Sequence, residues 1–280
     1  YCRAADDPPD PVFDTTPYHM TGATSARYYR FLWHVGDAIR NDFPGRVVTA
    51  YAYAGTDLPP AGLPRNPGVA VSVVGTKLAW LNPEFRKWEE MRYRRWARLT
   101  PNLATYDYMY QTGYIPNYSP HIHAEAVRFL HRNGYTMYDA ETFPTMARSG
   151  PRYWVQIKLC CEPESDVDAL LDRWMRGMFK EAAAPMAGYY QAIEQAWTNY
   201  PYHERHTDSW STYCFFEVQM PVITPGTIAD MDRCLAQAEA LARDPKVKAR
   251  LAVIRKNHLP TREFVNILWR RRPYIDPVPF

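Results

Sequence analysis

The sequence predicts an α/β protein: the C-terminal part of a (β/α)8 TIM-type barrel, followed by an all-helical C-terminal region. Two observations lead to this prediction. Over residues 1–162, runs of strand-forming residues alternate with amphipathic segments of helical spacing, which is the pattern of a parallel sheet. From residue 163 onward only the helical spacing remains, so we expect a separate helical domain at 163–280.

Four strands are predicted in the first part, at 46–55, 69–75, 103–111 and 135–141. Gly134 begins the fourth, and the second is apolar enough to be buried on both faces. Four strands are half the number in a closed eight-stranded barrel. Because an open half-barrel would expose its edges and its apolar interior, we expect this chain to be the C-terminal portion of a longer protein.

Helices are predicted between the strands and after them. The first follows a cap at Thr24 or Ser25, the next spans 82–99, another begins at "HIHAEAVRFLHRNG", and a fourth covers 152–161. Cys160 and Cys161 are adjacent on that fourth helix, and we expect them to be buried thiols. The stretch after residue 162 is predicted to form one long helix or two, with Pro185 as the place of the break in the second case.

The composition excludes several classes of function. Among the 280 residues, 46% are hydrophobic and 22% are charged, and the net charge of +3 is spread along the chain, so neither nucleic acid nor disorder is indicated. No apolar run approaches the roughly 20 residues of a membrane span. No dinucleotide, P-loop or lipase motif is present. His121 and His123 lack a third ligand, so no metal and no cofactor are predicted.

The residues that end the predicted strands are the candidates for chemistry, because active sites of parallel α/β folds lie at the carboxyl ends of strands. They are Tyr51, Tyr53, Asp107, Tyr108, Asp139 and Glu141. Glycoside hydrolysis needs two carboxyl groups, and tyrosines suit contact with sugar rings. Residues 139 and 141, two apart on a strand, point to the same side. The alternative is that such acids only cap the next helix or bind a loop arginine.

An ordered set of motifs carries a family resemblance through most of the chain. It comprises "SARYYRFLWHVGDAIRNDFPG", "VVTAYAYAGTDLPP", "ATYDYMYQ", "GYTMYDAE" and "YWVQIKLCCEPESDVDALLDRWMRGMF". In these motifs the chain resembles the bacterial domain family of unknown function numbered 4838. That family is glycoside-hydrolase-like and related to the α-glucuronidases and to glycoside hydrolase family 163, which contains retaining endo-β-N-acetylglucosaminidases.

The resemblance implies a glycosidase that cleaves complex glycans or polysaccharides outside the cytoplasm, in the periplasm or the extracellular space. By position in the motifs it implies Glu141 as the catalytic nucleophile or base. Asp107, Tyr108 and Tyr53 match the family's motifs and would then line the sugar subsite. Tyr51, on the same strand face as Tyr53, and Asp139, a supporting acid beside Glu141, are added from their positions at the strand ends. The second catalytic acid is expected upstream of residue 1.

Two alternatives to a glycosidase stay open. One is a non-catalytic carbohydrate-binding barrel that has lost one acid. The other, more remote, is a lyase or another barrel enzyme acting on anionic sugars, with a tyrosine as base.

Overall fold

The computed structural model describes residues 24–109, 114–142, 146–200 and 221–275. Its strands are β1 (Val48–Ala52), β2 (Val69–Gly75), β3 (Asn102–Tyr108) and β4 (Tyr135–Glu141). Its helices are α1 (Ser25–Asp42), α2 (Pro83–Leu99), α3 (Pro120–Arg132), α4 (Met146–Cys161), α5 (Val167–Phe179), α6 (Ala183–Thr198), α7 (Pro225–Leu241) and α8 (Pro245–Ile275). The predicted end of the third strand at Gln111 lies outside the described residues.

The four strands form one parallel sheet in the order β1-β2-β3-β4. Parallel neighbours need a crossover, and each pair is joined by a long connection, which contains α2 between β2 and β3 and α3 between β3 and β4. The predicted α/β class with a parallel sheet is therefore confirmed. β1 is shorter than predicted because the chain enters a 3₁₀ turn at Ala54–Thr56 directly after Tyr53.

One face of the sheet, the covered face, packs against α1 and α2. Val69, Val71 and Val73 of β2 are fully buried there, and the ring of Tyr29 from α1 meets Trp96 from α2 at 4.8 Å between centroids. α2 begins where the sequence predicts, because the side chain of Asn82 accepts hydrogen bonds from the first free backbone N–H groups. The covered face is the hydrophobic core of the sheet.

A glycine pair allows α1 to approach the start of β2. A Cβ atom at Gly68 would collide with the backbone carbonyl of Gly36 in α1, and a Cβ at Gly36 would lie 2.6 Å from a methyl group of Val69. Both positions therefore require glycine for packing.

The pairing of β3 with β4 contains a register shift. Leu103 pairs with Tyr135 and Ala104 pairs with Met137, so Thr136 is an extra residue in β4. Beyond the shift Tyr106 pairs with Asp139 and Tyr108 pairs with Glu141. Such a shift has the form of a β-bulge, which changes the side to which the following side chains point.

The helix α4 begins at Met146, six residues before the predicted start, and runs through Pro151. A proline inside a helix removes a hydrogen bond to the carbonyl four residues earlier, here Ala147. That carbonyl instead accepts a hydrogen bond of 2.9 Å from the hydroxyl of Tyr190. A hydroxyl from α6 thus replaces the missing backbone donor of α4, and the sequence around Pro151 gives no sign of this partner.

Two further expectations about the helical region were wrong. Cys160 and Cys161 are exposed, because the buried side of α4 is formed by Val155, Gln156 and Leu159. The break between α5 and α6 occurs at the 3₁₀ turn Lys180–Ala182, and Pro185 lies in the first turn of α6, where proline is tolerated.

The chain divides into two compact units. Among the described residues, the first contains 24–108 and Phe129–Glu141, and the second contains Met109–Arg128 and the helices that follow residue 142. This division assigns α4 to the helical unit, whereas the sequence predicted a boundary at residue 162. Within the described ranges, no helix has the length and apolarity required to cross a membrane.

Candidate functional site

The face of the sheet opposite to the covered face, here called the open face, carries aromatic and acidic side chains at the carboxyl ends of the strands. The register places five of the residues discussed below on it: Tyr51, Tyr106, Tyr108, Asp139 and Glu141. Tyr51 is 55% exposed and Asp139 is exposed, whereas Glu141 is half-buried. A polar face at this end of a parallel sheet is where such folds place their active sites.

Glu141 makes a direct contact with a tyrosine of the neighbouring strand. The hydroxyl of Tyr106 donates a hydrogen bond of 3.0 Å to Oε2 of Glu141. Burial and this hydrogen bond, together with the negative charges of Glu141 and Asp139, raise the pKa of Tyr106 to about 12. Tyr106 therefore remains a donor at neutral pH and fixes one carboxylate oxygen of Glu141.

The tyrosines of the open face contact one another. The rings of Tyr51 and Tyr106 meet edge to face with centroids 5.7 Å apart, and those of Tyr106 and Tyr108 do so at 5.4 Å. Tyr106 is thus held from both sides by neighbouring rings. The arrangement presents aromatic surface beside a carboxylate, which suits a ligand with both apolar C–H groups and hydroxyl groups.

Asp107 lies on the covered face, not on the open face. It is fully buried, its Oδ1 accepts a hydrogen bond of 2.9 Å from the backbone N–H of Lys77, and its Oδ2 accepts one of 2.5 Å from the hydroxyl of Tyr138. Because its side chain has no exposed surface, any effect of Asp107 on a bound sugar must pass through its neighbours.

A buried charge network occupies the covered face behind the strand ends. It consists of Asp57, Lys77, Glu89, Arg92 and Tyr93, which are all at most 2% exposed. Arg92 forms an ion pair with Asp57. It also donates a hydrogen bond of 2.7 Å to the carboxylate of Glu89 and one of 2.8 Å to the backbone carbonyl of Val74. The ammonium group of Lys77 donates a hydrogen bond of 2.5 Å to the hydroxyl of Tyr93.

Burial governs the protonation of this network. Burial alone lowers the pKa of Lys77, but the surrounding Tyr93, Glu89 and Asp107 raise it above the ordinary value, so the ammonium group stays charged. Burial raises the pKa of Asp57 to about 6 although Arg92 pairs with it. Oδ2 of Asp57 has no hydrogen bond among the described residues, which is consistent with this rise.

The predicted candidates are thus partly brought together. Tyr51, Tyr108, Asp139 and Glu141 share the open face, and Tyr53 is an exposed residue of extended backbone directly after β1. Tyr106 is a residue of the site that the sequence did not single out. Its position two residues before Tyr108, on the strand beside Glu141, is the signal that would have identified it.

The described residues contain no group of three or more histidine, cysteine, aspartate or glutamate side chains suited to hold a metal ion. The imidazole of His123 is buried, and its Nδ1 lies 2.8 Å from the carbonyl oxygen of Ser119 at the start of α3. His123 therefore has a structural role at that helix end.

Comparison with known proteins identifies a family for this chain. Neither a curated protein nor a solved structure matches the chain. Residues 2–192, which are more than half of the chain and include every residue of the open face, match the family model of a domain of unknown function, DUF4838. The chain therefore belongs to the DUF4838 family.

Proposed function

We propose that the chain carries the C-terminal part of a (β/α)8 barrel of a glycoside hydrolase that cleaves complex glycans or polysaccharides. The observation that carries the proposal is the open face, where the half-buried carboxylate of Glu141 lies among tyrosines and is held by the hydroxyl of Tyr106. Glycosidases place a carboxylate of this kind against the anomeric carbon or a water molecule. Substrates of endo-N-acetylglucosaminidases and glucuronidases fit this proposal.

In the proposed mechanism Glu141 is the nucleophile or the base, and Tyr106 keeps its carboxylate in one orientation. Orientation contributes to rate because the reacting atoms must approach within about 3–3.5 Å in line. Tyr51, Tyr53 and Tyr108 contact the sugar. Asp107 supports β4 through Tyr138 and has no sugar contact of its own.

The second carboxyl group of the proposed pair belongs to a different strand. Asp139 is two residues from Glu141 on the same strand and side, whereas the two acids of a glycosidase flank the sugar from two sides. An acid about 5–5.5 Å from Glu141 would produce retention of configuration, and one at about 6.5–9.5 Å would produce inversion. We propose that the partner acid comes from another strand of the barrel and that the enzyme acts in the periplasm or outside the cell.

The test is Glu141→Gln in the intact protein, assayed on a panel of N-glycans and glucuronic-acid polysaccharides. We expect kcat/KM on the cleaved substrate to fall by about 10²–10⁴-fold, because a catalytic carboxylate has been neutralised. Circular dichroism and thermal unfolding establish that the fold is retained. Asp139→Asn should cause a smaller loss, and Glu84→Gln on α2 should cause none. Full activity of Glu141→Gln would refute the assignment.

A second candidate is a non-catalytic carbohydrate-binding barrel. The exposure of Tyr51 and Tyr53, 55% and 42%, favours it, because stacking on sugar rings needs no second acid. For this candidate Glu141→Gln would leave glycan affinity nearly unchanged, Tyr51→Ala would weaken it, and no substrate of the panel would be cleaved.

A further inference from the structure

The second unit contains a cleft of about 610 Å³, none of whose lining residues belongs to the sheet. It runs along α5 and α6 and ends at the start of α3. Its apolar part is formed by Leu171 and Met175 of α5 and by Ala184 and Ala187 of α6. The volume lies within the roughly 300–1,000 Å³ that is typical of sites for small ligands.

Polar groups from three helices meet at the α3 end of the cleft. Nδ1 and the backbone N–H of His121 lie 2.9 and 3.1 Å from Oε1 of Glu194, and Nε2 lies 3.3 Å from Oδ1 of Asp168. The hydrogen bond to Glu194 is the main cause that raises the pKa of His121. The trio therefore offers both donors and acceptors, and its two carboxylates outnumber the one imidazole, so it disfavours an anionic ligand.

Tyr118 is the observation that indicates a ligand. It lines the cleft, its side chain is only 1% exposed, and its ring packs on Tyr190 with centroids 5.1 Å apart. In the part of the chain that the structure describes, its hydroxyl makes no hydrogen bond. The hydroxyl is not fully enclosed by protein and opens onto the cleft, so a ligand group there can accept its hydrogen bond.

The charges at the opposite end of the cleft are engaged within the protein. Arg176 pairs with Asp172 at 2.9 Å, and Lys180 pairs with Asp244 at 2.5 Å. Glu181 accepts hydrogen bonds from the backbone N–H groups of residues 243 and 244. A strongly charged ligand would have to disrupt these pairs, whereas a neutral ligand need not.

We propose that this cleft binds a neutral, hydroxyl-rich ligand, namely a segment of an oligosaccharide chain. Each sugar hydroxyl both donates and accepts, which matches the mixture of Tyr118, His121, Glu194 and the amide of Gln191. The C–H face of the sugar would lie on the apolar part of the cleft. The choice of a glycan over another polyol rests on the proposed function, because a glycosidase acting on long chains gains from a second site that holds the chain.

The experiment is calorimetric titration of the intact Glu141→Gln protein with chitohexaose and with maltohexaose. The Glu141→Gln background prevents cleavage of the probe. Ala184→Trp fills the cleft from an exposed position, and Ala236→Trp on α7 is the matched control. Tyr118→Phe removes only the hydroxyl, with Tyr189→Phe as its control.

We expect at least one hexasaccharide to bind, and Ala184→Trp to remove one binding site per protein while Ala236→Trp removes none. Tyr118→Phe should weaken that site about 3–10-fold, as expected for one hydrogen bond. Absence of binding by both probes, or a number of sites unchanged by Ala184→Trp, would overturn the proposal.

The outcome is independent of the proposed hydrolysis. If no panel substrate is cleaved but Ala184→Trp removes a site, the glycosidase proposal fails and the cleft remains. If cleavage depends on Glu141 but Ala184→Trp does not change the number of binding sites, the glycosidase proposal stands and the proposal of a ligand in the cleft fails. Cleavage of a short aryl glycoside by a protein carrying only Ala184→Trp should equal that of the wild type.

Discussion

The two faces of the four-stranded sheet differ in how their ionisable side chains are buried and paired. The covered face holds more ionisable groups, yet they are buried and paired with one another, as in Arg92 between Asp57 and Glu89. The open face holds fewer, but Asp139 is exposed, and the half-buried carboxylate of Glu141 accepts a hydrogen bond from the hydroxyl of Tyr106. The number of charges at strand ends is therefore a poor guide to chemistry, and their accessibility is a better one.

This comparison predicts that the covered face determines stability and that the open face determines activity. The four changes below test that division, in decreasing order of their expected effect on the free energy of unfolding.

Arg92→Leu should have the largest effect. It leaves the buried carboxylates of Asp57 and Glu89 without their common partner, so we expect a loss of about 3–5 kcal/mol in the free energy of unfolding. Urea denaturation measures it. The control is Arg94→Leu on the same helix, where a half-exposed arginine pairs with Glu90 and the expected loss is about 1 kcal/mol or less. If the two variants lost equal free energy of unfolding, the buried network would contribute no more to stability than an exposed ion pair, which would contradict the prediction.

Asp57→Asn tests the raised pKa. Folded Asp57 keeps its proton up to about pH 6, whereas the unfolded chain loses it near pH 4, so its protonation stabilises the fold below pH 4 and that contribution is lost through pH 6. The stability of wild type relative to Asp57→Asn should therefore fall by up to about 3 kcal/mol from pH 4 to pH 7. Unfolding curves at several pH values measure this difference. A difference that rises with pH would show that the pair with Arg92 outweighs burial.

Tyr138→Phe should lower the free energy of unfolding by about 1–3 kcal/mol, because it removes a donor to the buried carboxylate of Asp107. Thermal and urea unfolding give the value. On the open face, Tyr51→Phe should change stability by about 0.5 kcal/mol or less, since Tyr51 is 55% exposed. A larger loss for Tyr51→Phe than for Tyr138→Phe would reverse the proposed roles of the faces.

Tyr106→Phe should have the smallest effect on stability and a large effect on activity. The ring remains in its aromatic contacts, so we expect a change within about 1 kcal/mol. Loss of the hydrogen bond to Glu141 should lower kcat about 10–100-fold with little change in KM, because the orientation of the carboxylate is lost. Steady-state kinetics on the substrate found with the glycan panel measures both. Tyr28→Phe on α1 is the control, and a change confined to KM would contradict an orienting role.

The sequence predicted the order of strands and helices because the spacing of apolar residues is set by local geometry. It also placed Asp139 and Glu141 on the same side, which follows from the two-residue period of a strand. It could not decide which side of β3 Asp107 faces, because alternation does not say which side is covered. The hydrogen bond from Tyr190 to Ala147, which permits Pro151 within α4, joins residues 43 apart and has no local signal. For the same reason the cleft was not foreseen, since its lining comes from three helices.

The extra residue at Thr136 has a consequence for the orientation of Glu141. The hydroxyl of Tyr135 donates a hydrogen bond to the carbonyl of Tyr93, so Tyr135 points to the covered face. If side chains simply alternated along β4, Glu141 would point to that face as well. The register shift at Thr136 reverses the side to which the following side chains of β4 point, so Glu141 lies on the open face. One inserted residue thus separates a carboxylate that meets solvent from one that would be enclosed by protein. Any transfer of this strand into another sheet must copy the insertion together with the acid.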